Sequence, residues 1–560
     1  MQEIAAMFNA RRAFILSIVL VGLCYVNSLP NDFVFDDGPI VSSNPAIRVI
    51  SPIQFLTSPY WTKHQYWGIY RPFTIFSLSV DYAIWKRWAP GFRLTNLAVH
   101  AINGGLVFLL SESLVGPGIV PLVTMIVWVV HPLHTEAVTS IVGRSELFAA
   151  CFFMAAWLLF RRGRSVWAAI AFFLALLSKE NAIVLPAILL LDMWLLPSPR
   201  GRGFLRLGPL IITALAYLGL RFYVLGAFGI PVGAQYMGGH LRYVDRLLTS
   251  GRVFIQYLKL IVFPLNLSGD YDFNAIPIAR LTDWDAWIGL LLIAVIPVVA
   301  WRYRHSKWTV SFGLLFAVIA LLPSSNWIVP ISILMAERFL YLPLIGISLA
   351  AAVVYSELED PRVRRLVGGG ALVTSIILCN SHDYIRRNDF TFFKNMVRVV
   401  PDSAKARLGY GFALIQKGRN EEAERELEAG LRIIPDYPEL LSTLALARTT
   451  STSCREAWPL LKHALEIDPE HADTHRRMGD CYFKEGRIRE AESMYRQAVE
   501  SIPNPDAMLY FMWGRSLEDI GNSTTAVAAY QRAALIDPDN PFIRQKLASL
   551  GTVRTEDLEQ

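Results

Sequence analysis

The sequence predicts an all-helical protein in two parts: a polytopic helical membrane domain of about eleven spans, then an α-solenoid of short repeats. Three observations predict it. Of the 560 residues 53% are hydrophobic and only 18% charged, with a mean hydropathy of +0.37, whereas soluble domains carry about 25% charged residues. The composition also breaks: apolar runs dominate up to about Asn380, and from Asp389 onward the chain is polar and rich in Glu, Arg and Ala. Finally, the polar part repeats with a period of 34 to 35 residues. The break assigns 1–388 to the membrane domain and 389–560 to the repeats. A net charge of +6 is small for this length and points away from nucleic acid. The five cysteines (Cys24, Cys151, Cys379, Cys454, Cys481) have no spacing of a zinc or redox motif.

Eleven apolar segments read as spans: 13–29, 93–114, 119–133, 146–160, 165–178, 181–197, 207–225, 285–301, 309–323, 338–356 and 365–380. An apolar run of about 20 residues crosses a hydrocarbon core as a helix. No Ala-x-Ala cleavage site follows the first, so it reads as a retained helix. Leu247–Leu267 is interrupted by Arg252, Gln256 and Lys259 and reads as amphipathic or re-entrant. Alternate loops carry Arg11-Arg12, Arg161-Arg162-Arg164, Arg200/Arg202/Arg206, Arg302/Arg304/Lys307 and Arg362/Arg364/Arg365. The positive-inside rule puts these five in the cytoplasm with the N-terminus, and the repeats outside it.

The opposite loops carry the chemistry. Asp36 and Asp37 follow the first span, and Arg71 lies further along the same loop. The next holds His131, His134, Glu136, Arg144 and Glu146; then come Lys179-Glu180 and Glu337-Arg338. Ionisable groups beside apolar helices are costly and are usually paired or functional. A bare Asp-Asp pair is more often a solvated loop or a cap, and Lys179–Glu180 and Glu337–Arg338 also read as ion pairs closing helix ends. His131 and His134 read as interfacial side chains before they read as metal ligands. What favours a site is that all of them gather on one face.

In the polar part, Ala423, Ala457, Ala491 and Ala526 are 34, 34 and 35 residues apart, and Pro435, Pro469, Pro503 and Pro538 each follow by twelve. Gly411, Gly479 and Gly514 precede three of those alanines by twelve, and Leu427, Leu461, Tyr495 and Tyr530 follow by four. This resembles the tetratricopeptide pattern: a small residue where paired helices touch, a large one behind it, and Pro ending the second helix. The repeats run over about 404–437, 438–471, 472–505 and 507–540, with a capping helix after them. Such solenoids bind peptides or proteins along a concave face; the plainer alternative is a rigid spacer.

Six motifs in the membrane part carry a further resemblance. Asp32–Arg48 (DFVFDDGPIVSSNPAIR), Tyr70–Leu78 (YRPFTIFSL), Phe92–Asn103 (FRLTNLAVHAIN), His131–Glu146 (HPLHTEAVTSIVGRSE), Ser178–Asn181 (SKEN) and Ala336–Pro343 (AERFLYLP) resemble the TMTC proteins, transmembrane O-mannosyltransferases with tetratricopeptide repeats. The resemblance implies a GT-C glycosyltransferase fold. It implies a polyprenyl-phosphate sugar donor and a Ser or Thr hydroxyl of a protein as acceptor, with membrane lipid around it. Asp36 and Asp37 match the family's acidic pair, the expected catalytic residues. The HP-x-H-T-E segment falls on His131, His134, Thr135 and Glu136. Only four repeats are present, fewer than in the animal members, so the chain looks closer to a prokaryotic relative using undecaprenyl phosphate. That implies a prokaryotic plasma membrane, or the endoplasmic reticulum if the chain is eukaryotic.

A lipid-phosphate leaving group needs no proton; the site must supply a base for the acceptor and positive charge for the released phosphate. Asp36 or Asp37 is the expected base, and Arg71, Arg144, Lys179 and Arg338 the expected phosphate and sugar ligands. His131, His134, Glu136, Glu146, Glu180 and Glu337 support them. No cofactor is indicated with certainty; a divalent metal, if bound, would fall to Asp36, Asp37 and His134. One displacement with one base inverts the anomeric centre. The alternatives are a GT-C transferase modifying a glycolipid of the lipid A type, and a non-catalytic membrane-anchored repeat scaffold.

Overall fold

The computed structural model describes residues 9–550 apart from 61–68, 196–203, 227–241, 272–274, 329, 332, 452–453, 503–504 and 539. The described residues are helical and loop, with no strand among them, and form two compact units divided after Val399. Arg200, Arg202 and Pro503, used above, lie outside the described residues.

The first unit runs α1 (Ala10–Tyr25), α2 (Pro52–Thr57), α3 (Pro72–Trp85), α4 (Ala89–Val115), α5 (Ile119–Val129), α6 (Thr135–Thr139), α7 (Arg144–Arg161) and α8 (Ser165–Ser178). It continues with α9 (Leu185–Leu195), α10 (Gly208–Leu225), α11 (Tyr243–Val262), α12 (Trp284–Tyr303), α13 (Trp308–Leu321), α14 (Pro343–Ser356), α15 (Pro361–Ile385) and α16 (Asp389–Val399). All eleven apolar segments of the sequence are helical. Among the described residues, six helices are long and apolar enough to cross a membrane, or seven if α5 and the Pro132–Thr139 turn, bent by 51°, count as one. That property is consistent with a membrane protein. The other segments are shorter because the backbone interrupts them. Lys179 takes an extended conformation (φ −159°, ψ 136°) and ends α8, and a 3₁₀ turn over Glu180–Val184 then leads into α9. The segment Leu247–Leu267 becomes α11, whose apolar face buries Leu248, Val253, Tyr257 and Leu260.

Burial sorts the helices. The apolar stretches of α7 and α4 are 72% and 56% buried, whereas those of α10 and α15 are 17% and 6%. The outer helices therefore turn Ile212, Leu291, Val298 and Leu366 outward, the apolar surface that lipid would cover. Where α11 crosses α12, Gly251 and Gly289 let the backbones touch: a Cβ on Gly289 would lie 1.9 Å from the Gly251 carbonyl oxygen. Small residues serve such crossings because apolar burial alone does not drive helices together in lipid.

The second unit stacks α17 (Ala404–Gln416), α18 (Asn420–Ile433), α19 (Pro438–Ser451), α20 (Cys454–Ile467), α21 (Ala472–Lys484), α22 (Ile488–Ser501), α23 (Ala507–Asp519) and α24 (Ser523–Ile536), closed by α25 (Pro541–Ser549). The spaced residues do what their pattern implies. Ala423, Ala457 and Ala491 are fully buried. A Cβ on Gly479 would meet the Tyr495 ring at 2.7 Å, and one on Gly514 the Tyr530 ring at 2.8 Å. Ser403 and Asp506 cap α17 and α23 by accepting the N–H of Ala406 (3.1 Å) and Leu509 (2.9 Å). Ile543 and Leu547 of α25 close the last core with Ala529 and Tyr530.

Candidate active site

Most of the motifs share a structural property: they lie where the helices break, the exception being Phe92–Asn103 inside α4. The acidic pair leads into a single π-helical turn, Gly38–Ser42. His131 precedes a 3₁₀ turn at Pro132–His134, and further 3₁₀ turns cover Ile141–Gly143, Glu180–Val184 and Glu337–Leu340. Non-helical backbone beside membrane helices is tolerated where protein buries it or it lines a cavity. The breaks bring peptide groups and charged side chains to one region.

Asp37 is the fixed member of the acidic pair. It is 1% exposed, and its Oδ1 accepts the Val142 N–H at 3.0 Å. Its other oxygen, Oδ2, stands 3.9 Å from the Arg93 guanidinium. Burial pushes its carboxyl up to about 6, against the opposing pull of Arg93 and of the Val142 and Ile141 amides. Asp36 is half-buried, and its charge acts on Tyr60 and Arg338.

Three cations of the motif loops are each held by a carboxylate. Arg71 forms a two-pronged pair with Glu180, at 2.7 and 3.1 Å, and its guanidinium lies 5.5 Å from the centre of the Tyr60 ring. Lys179 pairs with Glu146 and sits 5.0 Å over the Phe339 ring. Arg338 pairs with Glu136, which also accepts the Arg338 backbone N–H at 2.8 Å. Burial works against the charge of Arg71 and of Arg338, but the carboxylates outweigh it and hold both guanidiniums firmly protonated. Lys179 is lowered to about 8, by burial first, with Glu146 opposing and Arg71 adding to the shift. Asp36, Glu146 and Glu136 all act on Arg338, and Arg71 and Arg338 both act on Lys179, so these groups occupy one electrostatic neighbourhood.

Other expected residues have different surroundings. Arg144 is fully buried. Its guanidinium donates to Asn96 Oδ1 (3.0 Å) and the Ser77 and Phe92 carbonyls (3.1 and 2.8 Å), and it pairs with Asp81 at 2.5 Å. Through these bonds Arg144 ties α3 and α4 to α7. His131 uses both ring nitrogens, Nε2 on the Ile261 carbonyl (3.2 Å) and Nδ1 on the Leu133 N–H (3.3 Å). His134 packs in an aromatic cage, 4.6 Å from Tyr341 and 4.7 Å from Trp128 between ring centres. Glu337 accepts the Ser268 N–H (2.7 Å) and the Tyr271 hydroxyl (2.6 Å), and burial lifts its carboxyl to about 8. Among the described residues, no group of three or more His, Cys, Asp or Glu could hold a metal ion.

Sequence reasoning passed over Arg93, Tyr60, Tyr217 and Arg221. Arg93 lies inside the quoted FRLTN motif, and its guanidinium binds the Asn31 and Asp32 carbonyls beneath the acidic pair. Tyr217 and Arg221, one turn apart on α10, act electrostatically on Glu180 or receive its influence; a Tyr and an Arg inside an apolar run were the available signal.

Comparison with known proteins adds to this geometry. Residues 390–447 and 455–510 match a tetratricopeptide-repeat family, and 508–540 match a second tetratricopeptide family. Over 602 aligned residues the chain is 24% identical to mouse "Protein O-mannosyl-transferase TMTC3", with 95% of this chain and 65% of the relative covered.

The chain is similar to TMTC proteins over most of its length.

Human TMTC1 is 25% identical over 77% of this chain and 56% of the relative, and the Caenorhabditis elegans protein O-mannosyl-transferase F38B6.6 is 25% identical over 76% and 64%. The chain thus spans about 65% of the length of the first of these relatives. Among solved structures, a thermophilic tetratricopeptide protein of Thermus thermophilus is 20% identical and covers 32% of this chain and 95% of its own, with a TM-score of 0.27.

Proposed function

We propose that this chain is a GT-C-type membrane mannosyltransferase. It moves mannose from a polyprenyl-phosphate donor to Ser or Thr hydroxyls of proteins on the extracytoplasmic face. One observation carries the reading: the charge of a half-buried carboxylate, Asp36, acts on Arg338, which together with Arg71 acts on Lys179, in a chain similar over 95% of its length to a protein O-mannosyl-transferase. The reaction needs that juxtaposition of one base and several cations.

Asp36 accepts the proton of the acceptor hydroxyl as its oxygen bonds to the anomeric carbon. The bond from that carbon to the phosphate oxygen breaks, and its electron pair leaves with the lipid phosphate. Arg71, Lys179 and Arg338 neutralise the phosphate; Arg suits this because its planar fork meets two oxygens at once. Asp37, clamped by the Val142 amide, orients the loop and sets the local field. A single displacement inverts the anomeric centre. The repeats hold the protein acceptor.

The test is transfer from radiolabelled mannosyl-phosphate polyprenol by the purified full-length chain in vesicles. Wild-type protein should label a Ser/Thr-rich protein acceptor. Label appearing only in lipid would establish the glycolipid alternative, and no transfer to either would leave a scaffold.

A further inference from the structure

We propose that Asp389, with Phe392 and Phe393, positions the acidic pair by locking Phe35; the proposal rests on the catalytic reading of Asp36 and Asp37. Phe35 directly precedes that pair and has φ +55°, the left-handed region that bulky side chains avoid. Such backbone persists only where its surroundings impose it, and it collects at functional sites.

Here the surroundings come from the far end of the unit. The Phe35 N–H donates to Asp389 Oδ1 at 2.9 Å, across 354 positions of sequence. Its ring packs on Phe392 and Phe393, with centres 5.6 and 5.8 Å away. Phe392 is itself wedged: a Cβ on Gly269 would lie 2.0 Å from its ring, and the Arg386 guanidinium lies 5.2 Å from the ring centre. The loop before Phe35 is tied to the same segment. The Asn31 amide donates to the Asp383 carbonyl at 3.0 Å, and the Asp32 N–H to the Arg387 carbonyl at 3.0 Å. Asn395, further along α16, donates to the Leu267 carbonyl at 3.1 Å. Residues 383–395 therefore grip the loop 31–35 at three successive points, immediately before the acidic pair.

The consequence is directional. If Phe35 relaxed to an ordinary conformation, the chain beyond it would swing and carry Asp36 away from Arg338. A base misplaced by about 1 Å loses roughly a hundredfold in rate, so the latch sets turnover and not donor affinity. Asp389 touches no reacting atom in this account; it acts through Phe35.

Two full-length variants in vesicles test it, Asp389→Ala and Asp389→Asn, each read by amide exchange at 35–38 and by transfer kinetics. Alanine removes the acceptor. The Phe35 amide should then exchange at least ~10-fold faster, kcat should fall at least ~10-fold, and KM for the donor should hold. Asparagine keeps an oxygen for the same N–H, so exchange and kcat should stay within about threefold of wild type. Unchanged exchange in Asp389→Ala overturns the latch whatever transfer does, and so does Asn proving as damaging as Ala. Faster exchange with normal kcat, in a chain that Asp36→Asn inactivates, overturns positioning while leaving the catalytic reading intact. That reading fails separately, through full turnover in Asp36→Asn.

Discussion

The motif loops of the first unit and the helices of the repeats use charge differently. Beside the motifs ion pairs are buried: Arg144 and Asp81 are 0% and 7% exposed, Lys179 and Glu146 2% and 7%. In the repeats, Arg487 and Glu490 are 50% and 46% exposed, Arg419 and Glu422 44% and 40%. The second kind costs little to place and returns little, because water and salt screen it. The first kind is expensive to desolvate, and removing one partner strands the other, at about 3–5 kcal/mol. Hydrophobic residues of matching volume would often serve stability as well. Arg71–Glu180, Lys179–Glu146 and Arg338–Glu136 are the pairs the proposed chemistry draws on, whereas Arg144 is tied to Asn96, Asp81 and two carbonyls.

Breaking Arg144 should have the largest effect. Arg144→Met leaves Asp81 buried without its partner and frees the Ser77 and Phe92 carbonyls. Thermal unfolding in detergent should show a loss of about 3–5 kcal/mol, and Arg144→Lys should not restore it because an ammonium cannot span the same acceptors. A stable Arg144→Met protein that had lost only transfer would move Arg144 from the scaffold to the phosphate site.

A smaller effect sharpens the contrast through pH. Asp37 is raised to about 6, so its carboxylate forms as pH rises through that value. Lys179 is lowered to about 8, so its ammonium is lost as pH rises through that value. Transfer should peak between the two, with an acid limb near 6 and an alkaline limb near 8. Lys179→Arg should push the alkaline limb upward while the acid limb stays. Glu337 also titrates near 8; a limb that ignores Lys179→Arg and shifts in Glu337→Gln would assign it there.

The smallest effect belongs to the repeats. Glu490→Ala should leave the melting temperature of the full chain within measurement error, because water already solvates both partners. A larger loss would mean that this exposed pair has a partner surface.

Much of the fold was legible because it rests on local pattern. Every apolar segment became a helix, and the 34-residue spacing placed Gly479 against Tyr495. The site was legible as a set of residues but not as a set of roles. Arg71 and Arg144 look alike in sequence, one before a Pro and one after a Gly. One faces Glu180 beside the acidic pair, and the other is enclosed among carbonyls of two helices. That difference arises from packing between segments 52 to 109 positions apart, which no local rule carries. Asp389 was missed for the same reason: its one informative contact is with Phe35, and the left-handed φ there has no marker such as glycine.

Single-turnover transfer by wild type, Asp36→Asn and Asp37→Asn, with labelled mannosyl-phosphate polyprenol and a Ser/Thr peptide, tests the central claim most directly. The account predicts at least ~100-fold loss in Asp36→Asn, the scale of a missing general base. It predicts a smaller loss in Asp37→Asn, normal donor binding in both, and an inverted anomeric centre in the wild-type product. Wild-type rates in Asp36→Asn, or a product with retained configuration, would contradict it.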